Sequence, residues 1–139
     1  MDHMEIKKEI SKYVDTRLED LWELSDYIYH HPEVGFKEYD TSKKLMDVLT
    51  DEGFCVEGKS GGLDTAFVAS FSIGKVKKPR IDILCEYDAL DLGEAMPTET
   101  RVAHACGHNI IAATGVGAGL ALKYVLEKYE LPGEIRIVG

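Results

Sequence analysis

Arg80-Ile-Asp-Ile-Leu-Cys-Glu-Tyr-Asp88 is the stretch on which the fold turns. Ile81, Ile83 and Cys85 alternate with other residues, the two-residue period of a strand with one face buried. The stretch closes on acids, so carboxylates are placed at the carboxyl end of an apolar strand. Upstream, Ala66–Ile73 is rich in strand formers and stops at Gly74; a basic turn, Lys75–Lys78, follows. The two strands are predicted to pair as a hairpin. Gly61-Gly62 marks a turn before them. Downstream, Asp88–Ala103 reads as a loop, Asn109–Tyr129 as a helix, Leu131-Pro132-Gly133 as a turn and Glu134–Val138 as a third strand. Further upstream, Ile6, Ile10, Tyr13, Val14, Leu18, Leu21, Leu24 and Ile28 recur at helical spacing. They predict one long amphipathic helix that ends near His31, because Pro32 disfavours helix in the residue before it. A second helix is expected from Asp40 or Thr41, either of which can cap it, to Gly53. Leu45, Met46, Val48 and Leu49 form its apolar side. Two helices, two strands, a helix and a strand in that order imply an α/β fold with helices packed on a mixed β-sheet.

The 139 residues amount to about one domain. Sixteen Lys and Arg stand against 25 Asp and Glu, a net charge of −9. That balance argues against nucleic acid and against an anionic membrane surface as partners. The longest run without Asp, Glu, Lys or Arg is Val102–Leu122. Its first part holds His104, His108 and Asn109, and the apolar remainder, Ile110–Leu122, is shorter than the roughly 20 residues a bilayer needs. Three cysteines do not make a secreted disulfide scaffold, and Met1–Glu9 is charged with no apolar stretch after it. A cytoplasmic location is the expectation. A strand followed by a single residue is an unusual end for a domain. The chain is therefore expected to be the N-terminal part of one catalytic domain, with an unpaired sheet edge and apolar surface where the remainder packs.

His104-Ala105-Cys106-Gly107-His108-Asn109 is the densest group of reactive side chains. Imidazole and thiolate together suit zinc and related ions. Residues two apart point away from each other in a helix, so Cys106 and His108 can share a metal only if that backbone is not yet helical. Gly107 makes such an irregular path easier. The alternative is that His104 and His108 are loop and capping residues and Cys106 a buried thiol. Glu86-Tyr87-Asp88 is the second group, at a strand end where ligands of open α/β sheets gather. An acid there binds a metal, orients a ligand, or simply closes a solvated turn. His30-His31 suits a helix C-terminus. Gly115, Gly117 and Gly119 lie inside a predicted helix, so they are read as contacts that let it approach the sheet rather than as a nucleotide fingerprint. Cys55 and Cys85 are read as core thiols.

Glu86-Tyr-Asp-Ala-Leu90 followed by His104-Ala-Cys-Gly-His-Asn109 resembles the metal-dependent amidohydrolases of the aminoacylase/carboxypeptidase superfamily. The subgroup it resembles acts on hippurate, auxin conjugates and aminobenzoyl-glutamate. His31-Pro32-Glu33, then Phe36, Glu38 and Thr41, is similar to that subgroup's opening segment, and the resemblance runs from about Glu19 to Gly139. It implies part of a zinc-peptidase-like (phosphorylase/hydrolase-like) catalytic domain. It also implies hydrolysis of an amide bond in an N-acyl amino acid, aminobenzoyl-glutamate or a small dipeptide. Cys106 and His108 match the family's metal-ligand positions, and Asp88 matches the catalytic acid that supports the site. Glu86, His104 and Asn109 are further candidates. Many relatives carry Asp where Asn109 stands, and broader superfamily members carry His in place of Glu86. Two divalent ions per full-length chain (zinc, manganese or nickel) and a homo-oligomer are expected. The family's paired glutamates and its lid or dimerisation domain fall beyond Gly139, so this chain alone is expected to be inactive. Two rival readings are a binding or interaction domain derived from the same fold and a redox or zinc-storage module built on Cys106.

Overall fold

The computed structural model describes residues 3–75 and 78–139; of the predicted basic turn Lys75–Lys78, Val76 and Lys77 lie outside the described residues. The elements are α1 (His3–Thr16), α2 (Leu18–His30), α3 (Tyr39–Asp51), β1 (Cys55–Gly58), β2 (Phe67–Ile73), β3 (Arg80–Leu84), β4 (Leu90–Asp91), β5 (Val102–Ala103), α4 (His108–Tyr129) and β6 (Gly133–Val138). The α/β class read from the sequence is the one observed: helices pack on a four-stranded mixed sheet of order β1-β2-β6-β3.

The predicted hairpin between the second and third strands does not form. β2 pairs antiparallel with β1 on one side and with β6 on the other, and β3 pairs parallel with β6. β6 lies between them, and its Ile135 and Ile137, on one face of the strand, are both buried. The long N-terminal helix is also two helices. The break falls at Arg17, whose N–H bonds back three residues to Val14 at 2.9 Å. Its guanidinium reaches across to Glu52 at the end of α3 and to Asp20. α2 ends at His30, as Pro32 requires.

The capping of α3 differs from expectation too. Neither Asp40 nor Thr41 caps it. The Glu33 carboxylate instead accepts the N–H groups of Asp40 at 2.9 Å and Thr41 at 2.7 Å, donors that have no partner inside the helix. The Glu33 carbonyl meanwhile accepts the Ala89 N–H at 2.7 Å, and Val34 bridges Ala89. One residue thus ties the start of α3 to the segment that follows β3.

The core lies between one sheet face and the helices. Ile28, Leu45, Leu49, Phe67, Val116 and Ile137 are its fully buried apolar centre. α4 crosses that face closely because it carries glycine where it touches its neighbours. A Cβ on Gly115 would lie 2.8 Å from Cys85 Sγ, and one on Gly119 would lie 2.3 Å from Ile137 Cδ1. These two meet the sheet as expected. Gly117 faces the other way: its Cβ would lie 2.8 Å from Leu21 Cδ1, so this glycine admits α2. By length and composition α4 could cross a membrane; at 22 residues it extends past Leu122 through Lys123 and Lys128, and here it serves as the core helix. The opposite sheet face is polar, with Arg136 paired to Asp82 at 2.5 Å and Arg80 paired to Glu134. β3 is an edge strand, and Leu84 on it is 72% exposed.

Candidate active site

The strand-end acids and the His-Ala-Cys-Gly-His-Asn segment meet. β3 stops at Leu84, and Cys85 to Asp88 continue the chain across the carboxyl end of the sheet toward the start of α4. His108 is the first residue of α4. Gly107, at φ +74°, turns the backbone into it, so Cys106 stands on non-helical chain just ahead of the helix. That is the backbone condition for thiol and imidazole to face a common ion.

His108 Nδ1 lies 2.7 Å from Asp88 Oδ1, and its Nε2 lies 3.5 Å from Glu86 Oε2. An ionised carboxylate only accepts, so the Asp88 bond places a ring proton on Nδ1, and Nε2 is turned toward the Glu86 carboxylate. Cys106 is exposed, which removes the alternative of a buried structural thiol. Asn109 is buried, and its amide donates to Ser25 Oγ at 3.0 Å, pinning the first turn of α4 to α2.

His104 is the exception. It is only 7% exposed, and neither ring nitrogen makes a hydrogen bond among the described residues. Burial lowers its pKa. It is buried, whereas Cys106 is exposed. Asp91, further along the loop, is taken up by Arg101 at 2.9 Å and the Gly93 N–H at 2.9 Å. His30 and His31 turn their Nδ1 atoms back onto carbonyls of α2, at Asp26 and Tyr27. Among the described residues, no group of three or more His, Cys, Asp and Glu is placed to hold a metal ion. The donors present nevertheless fit part of such a site: an exposed thiol, an imidazole nitrogen beside the Glu86 carboxylate, and a second carboxylate behind the imidazole.

Three supporting groups were not read from the sequence as parts of the site: Glu33, Ser25 and the buried set Glu38, Thr65 and Tyr87. The Tyr87 hydroxyl donates to the Thr65 carbonyl, and the Thr65 hydroxyl donates to Glu38 Oε2 at 2.8 Å. This set anchors the residue between Glu86 and Asp88. Glu33 and Glu38 carried a signal as members of the segment that resembles the family's opening, and Tyr87 as the middle residue of Glu86-Tyr87-Asp88; Ser25 and Thr65 carried none.

Cys85 is buried as expected, whereas Cys55 is exposed because β1 is an edge strand. Burial pushes the Cys85 thiol from an ordinary 9.0 up to about 12, and burial pushes the Tyr87 hydroxyl from 10.0 up to about 12. Both protonated forms belong to the folded state. Their stabilisation is therefore complete below about pH 9 and is lost as the pH rises toward 12. Denaturant midpoints should fall across that window, and less steeply in Cys85→Ala. At pH 8 a thiol reagent should modify Cys55 and Cys106 in the native protein and Cys85 only on unfolding; equal rates at all three would contradict this.

No family model matches the chain. It is 35% identical over 144 residues to a component of the p-aminobenzoyl-glutamate hydrolase of Escherichia coli, covering 95% of this chain and 29% of that protein. It is 30% identical over 141 residues to the mouse Xaa-Arg dipeptidase, covering 96% of this chain and 30% of that one. Among solved structures, a dinuclear metal-binding peptidase of the M20 family from Bacillus subtilis superposes with a TM-score of 0.71 at 28% identity, over 91% of this chain and 35% of the other. The chain thus spans about three-tenths of the length of these curated relatives.

Proposed function

Because this chain belongs to the M20 family of metal-dependent amidohydrolases and peptidases, we propose that it forms the N-terminal part of a catalytic domain that hydrolyses amide bonds. The substrates are N-acyl amino acids, aminobenzoyl-glutamate or small dipeptides. Cys106, as thiolate, and His108, through Nε2, hold a divalent metal. Asp88 fixes the imidazole from behind, and Asn109 and Glu33 hold the two chain segments in register. Glu86, close to Nε2, is the nearest further carboxylate. His104 supports the site by packing. When bound, the metal (zinc, manganese or nickel, two ions in the complete site) supplies Lewis acidity toward water and toward the scissile carbonyl. A general base and the remaining ligands come from residues beyond Gly139 in the longer protein.

The observation that carries this reading is the 2.7 Å bond between His108 Nδ1 and Asp88 next to an exposed Cys106. A carboxylate bonded to one nitrogen of an imidazole, with the other nitrogen turned away from it, is the arrangement that orients metal-binding histidines. Elemental analysis of the purified full-length protein tests it. Two divalent ions per chain are expected, with at least one lost in Cys106→Ala and in His108→Ala. Unchanged metal content in both variants would overturn the assignment.

A further inference from the structure

Burial alternates from Cys85 to Ala89 after β3 has ended, with the two-residue period of a strand. Cys85, Tyr87 and Ala89 are buried, and Glu86 and Asp88 are not. The backbone ties both ends of this run. The Cys85 N–H donates to the Val138 carbonyl at 2.8 Å, and the Ala89 N–H donates to the Glu33 carbonyl at 2.7 Å. Between those ties, among the described residues, no backbone–backbone hydrogen bond holds Glu86, Tyr87 or Asp88. The Tyr87 side chain holds them from the core side instead. Its ring stacks on Phe67, with centroids 6.0 Å apart and planes 11° from parallel, and its hydroxyl donates to the Thr65 carbonyl.

The anchor continues inward. The Thr65 hydroxyl donates to Glu38 Oε2 at 2.8 Å, and both residues are buried. Among the described residues no cation pairs with Glu38. Taking a carboxylate out of water without a counter-ion costs stability, so packing alone does not account for this one. On the other side of the run, the two carboxylates flank one imidazole. Asp88 Oδ1 lies 2.7 Å from His108 Nδ1, and Glu86 Oε2 lies 3.5 Å from Nε2. Rotation of the run about its tied ends would carry both carboxylates off the ring together, and the Tyr87 side chain is what opposes that rotation.

We propose that Tyr87 is a positioning residue for the metal site: held by Thr65, which the Glu38 carboxylate holds in turn, it keeps Glu86 and Asp88 on His108 and so sets the affinity of the site for metal. This rests on the amidohydrolase reading, because it takes Cys106 and His108 to hold the metal. Tyr87 acts only through the two carboxylates beside it. Groups that orient metal ligands from behind alter affinity by about tenfold or more when removed.

The test titrates zinc into the metal-free full-length protein and measures thermal midpoints alongside. Wild type is compared with Tyr87→Phe, Thr65→Val, Thr65→Ser and the core control Ile135→Val. Cys106→Ala and His108→Ala identify the zinc that belongs to the site. Tyr87→Phe keeps the ring and loses the hydroxyl, so its Kd for that zinc should rise about tenfold. Thr65→Val, which leaves Glu38 without its donor, should raise the Kd in the same direction. Thr65→Ser restores a hydroxyl and should bind within about twofold of wild type. Ile135→Val removes one buried methyl group outside the set; its midpoint should fall while its Kd stays within about twofold. An unchanged Kd in Tyr87→Phe would overturn the proposal, and a lower midpoint there would make Tyr87 a packing residue only. Equal losses of affinity in Ile135→Val or in Thr65→Ser would overturn it as well. If Cys106→Ala and His108→Ala bind zinc as wild type does, the amidohydrolase reading fails and the proposal falls with it. If those two lose zinc and Tyr87→Phe does not, the proposal fails alone.

Discussion

Asp88→Asn in the full-length protein is expected to lower kcat/KM by about 100-fold or more, with the thermal midpoint within about 2 °C of wild type. The carboxylate accepts a hydrogen bond from Nδ1 of His108 at 2.7 Å and so holds the ring in the tautomer that can offer Nε2 to a metal. An asparagine of the same shape can present its NH2 group instead. That favours the other tautomer, places the proton on Nε2 and removes the lone pair from the metal side. Asp88 is partly exposed, and its neighbour Ala89 is held through the backbone by Glu33, so the fold does not depend on the charge. Steady-state kinetics with a thermal melt separates the two effects. Wild-type kcat/KM in Asp88→Asn would remove Asp88 from the site.

Gly119→Val is expected to destabilise the protein by about 3 kcal/mol, enough to remove much of a typical domain's stability. The added Cβ alone would lie 2.3 Å from Ile137 Cδ1 and 2.9 Å from Cγ1, and Ile137 is fully buried in the central strand. The branched side chain adds two further carbons beyond the Cβ, so α4 must lift from the sheet. Gly119→Ala should cost far less. It adds only the Cβ, and alanine gains about 1 kcal/mol in helix propensity. Urea denaturation of the two variants checks the ordering. A valine variant as stable as wild type would mean that α4 does not rest on Ile137.

The elements whose signals are local were legible in the sequence. α4 has a long apolar run, β3 and β6 alternate, and Gly53 at φ +83° closes α3. The failures share a cause in contacts distant along the chain. Helical spacing continues in phase through Val14, Leu18 and Leu21, so nothing local marks the break at Arg17; its partner Glu52 is 35 residues away. β1 is four residues with no clear alternation, and it exists because β2 offers it an edge. The hairpin expected from adjacency lost to β6, which begins 60 residues after β2 ends. At the site, the acids and the Cys-Gly-His segment were legible as chemistry, and their approach followed from the strand-end rule. The Glu33 cap was not legible, because it crosses a turn to reach Asp40 and Thr41. The burial of His104 was not legible either, because a histidine in a loop motif carries no sign of which way it will pack.

The most direct test is amide cleavage by the full-length protein before and after its metal is removed. Release of free amine from N-acyl amino acids, aminobenzoyl-glutamate and dipeptides is the readout. Cleavage should be lost on chelation, return with added zinc, manganese or nickel, and fail to return in Cys106→Ala. Cleavage that survives chelation, or full activity in Cys106→Ala, would contradict a metal-dependent site built on Cys106 and His108.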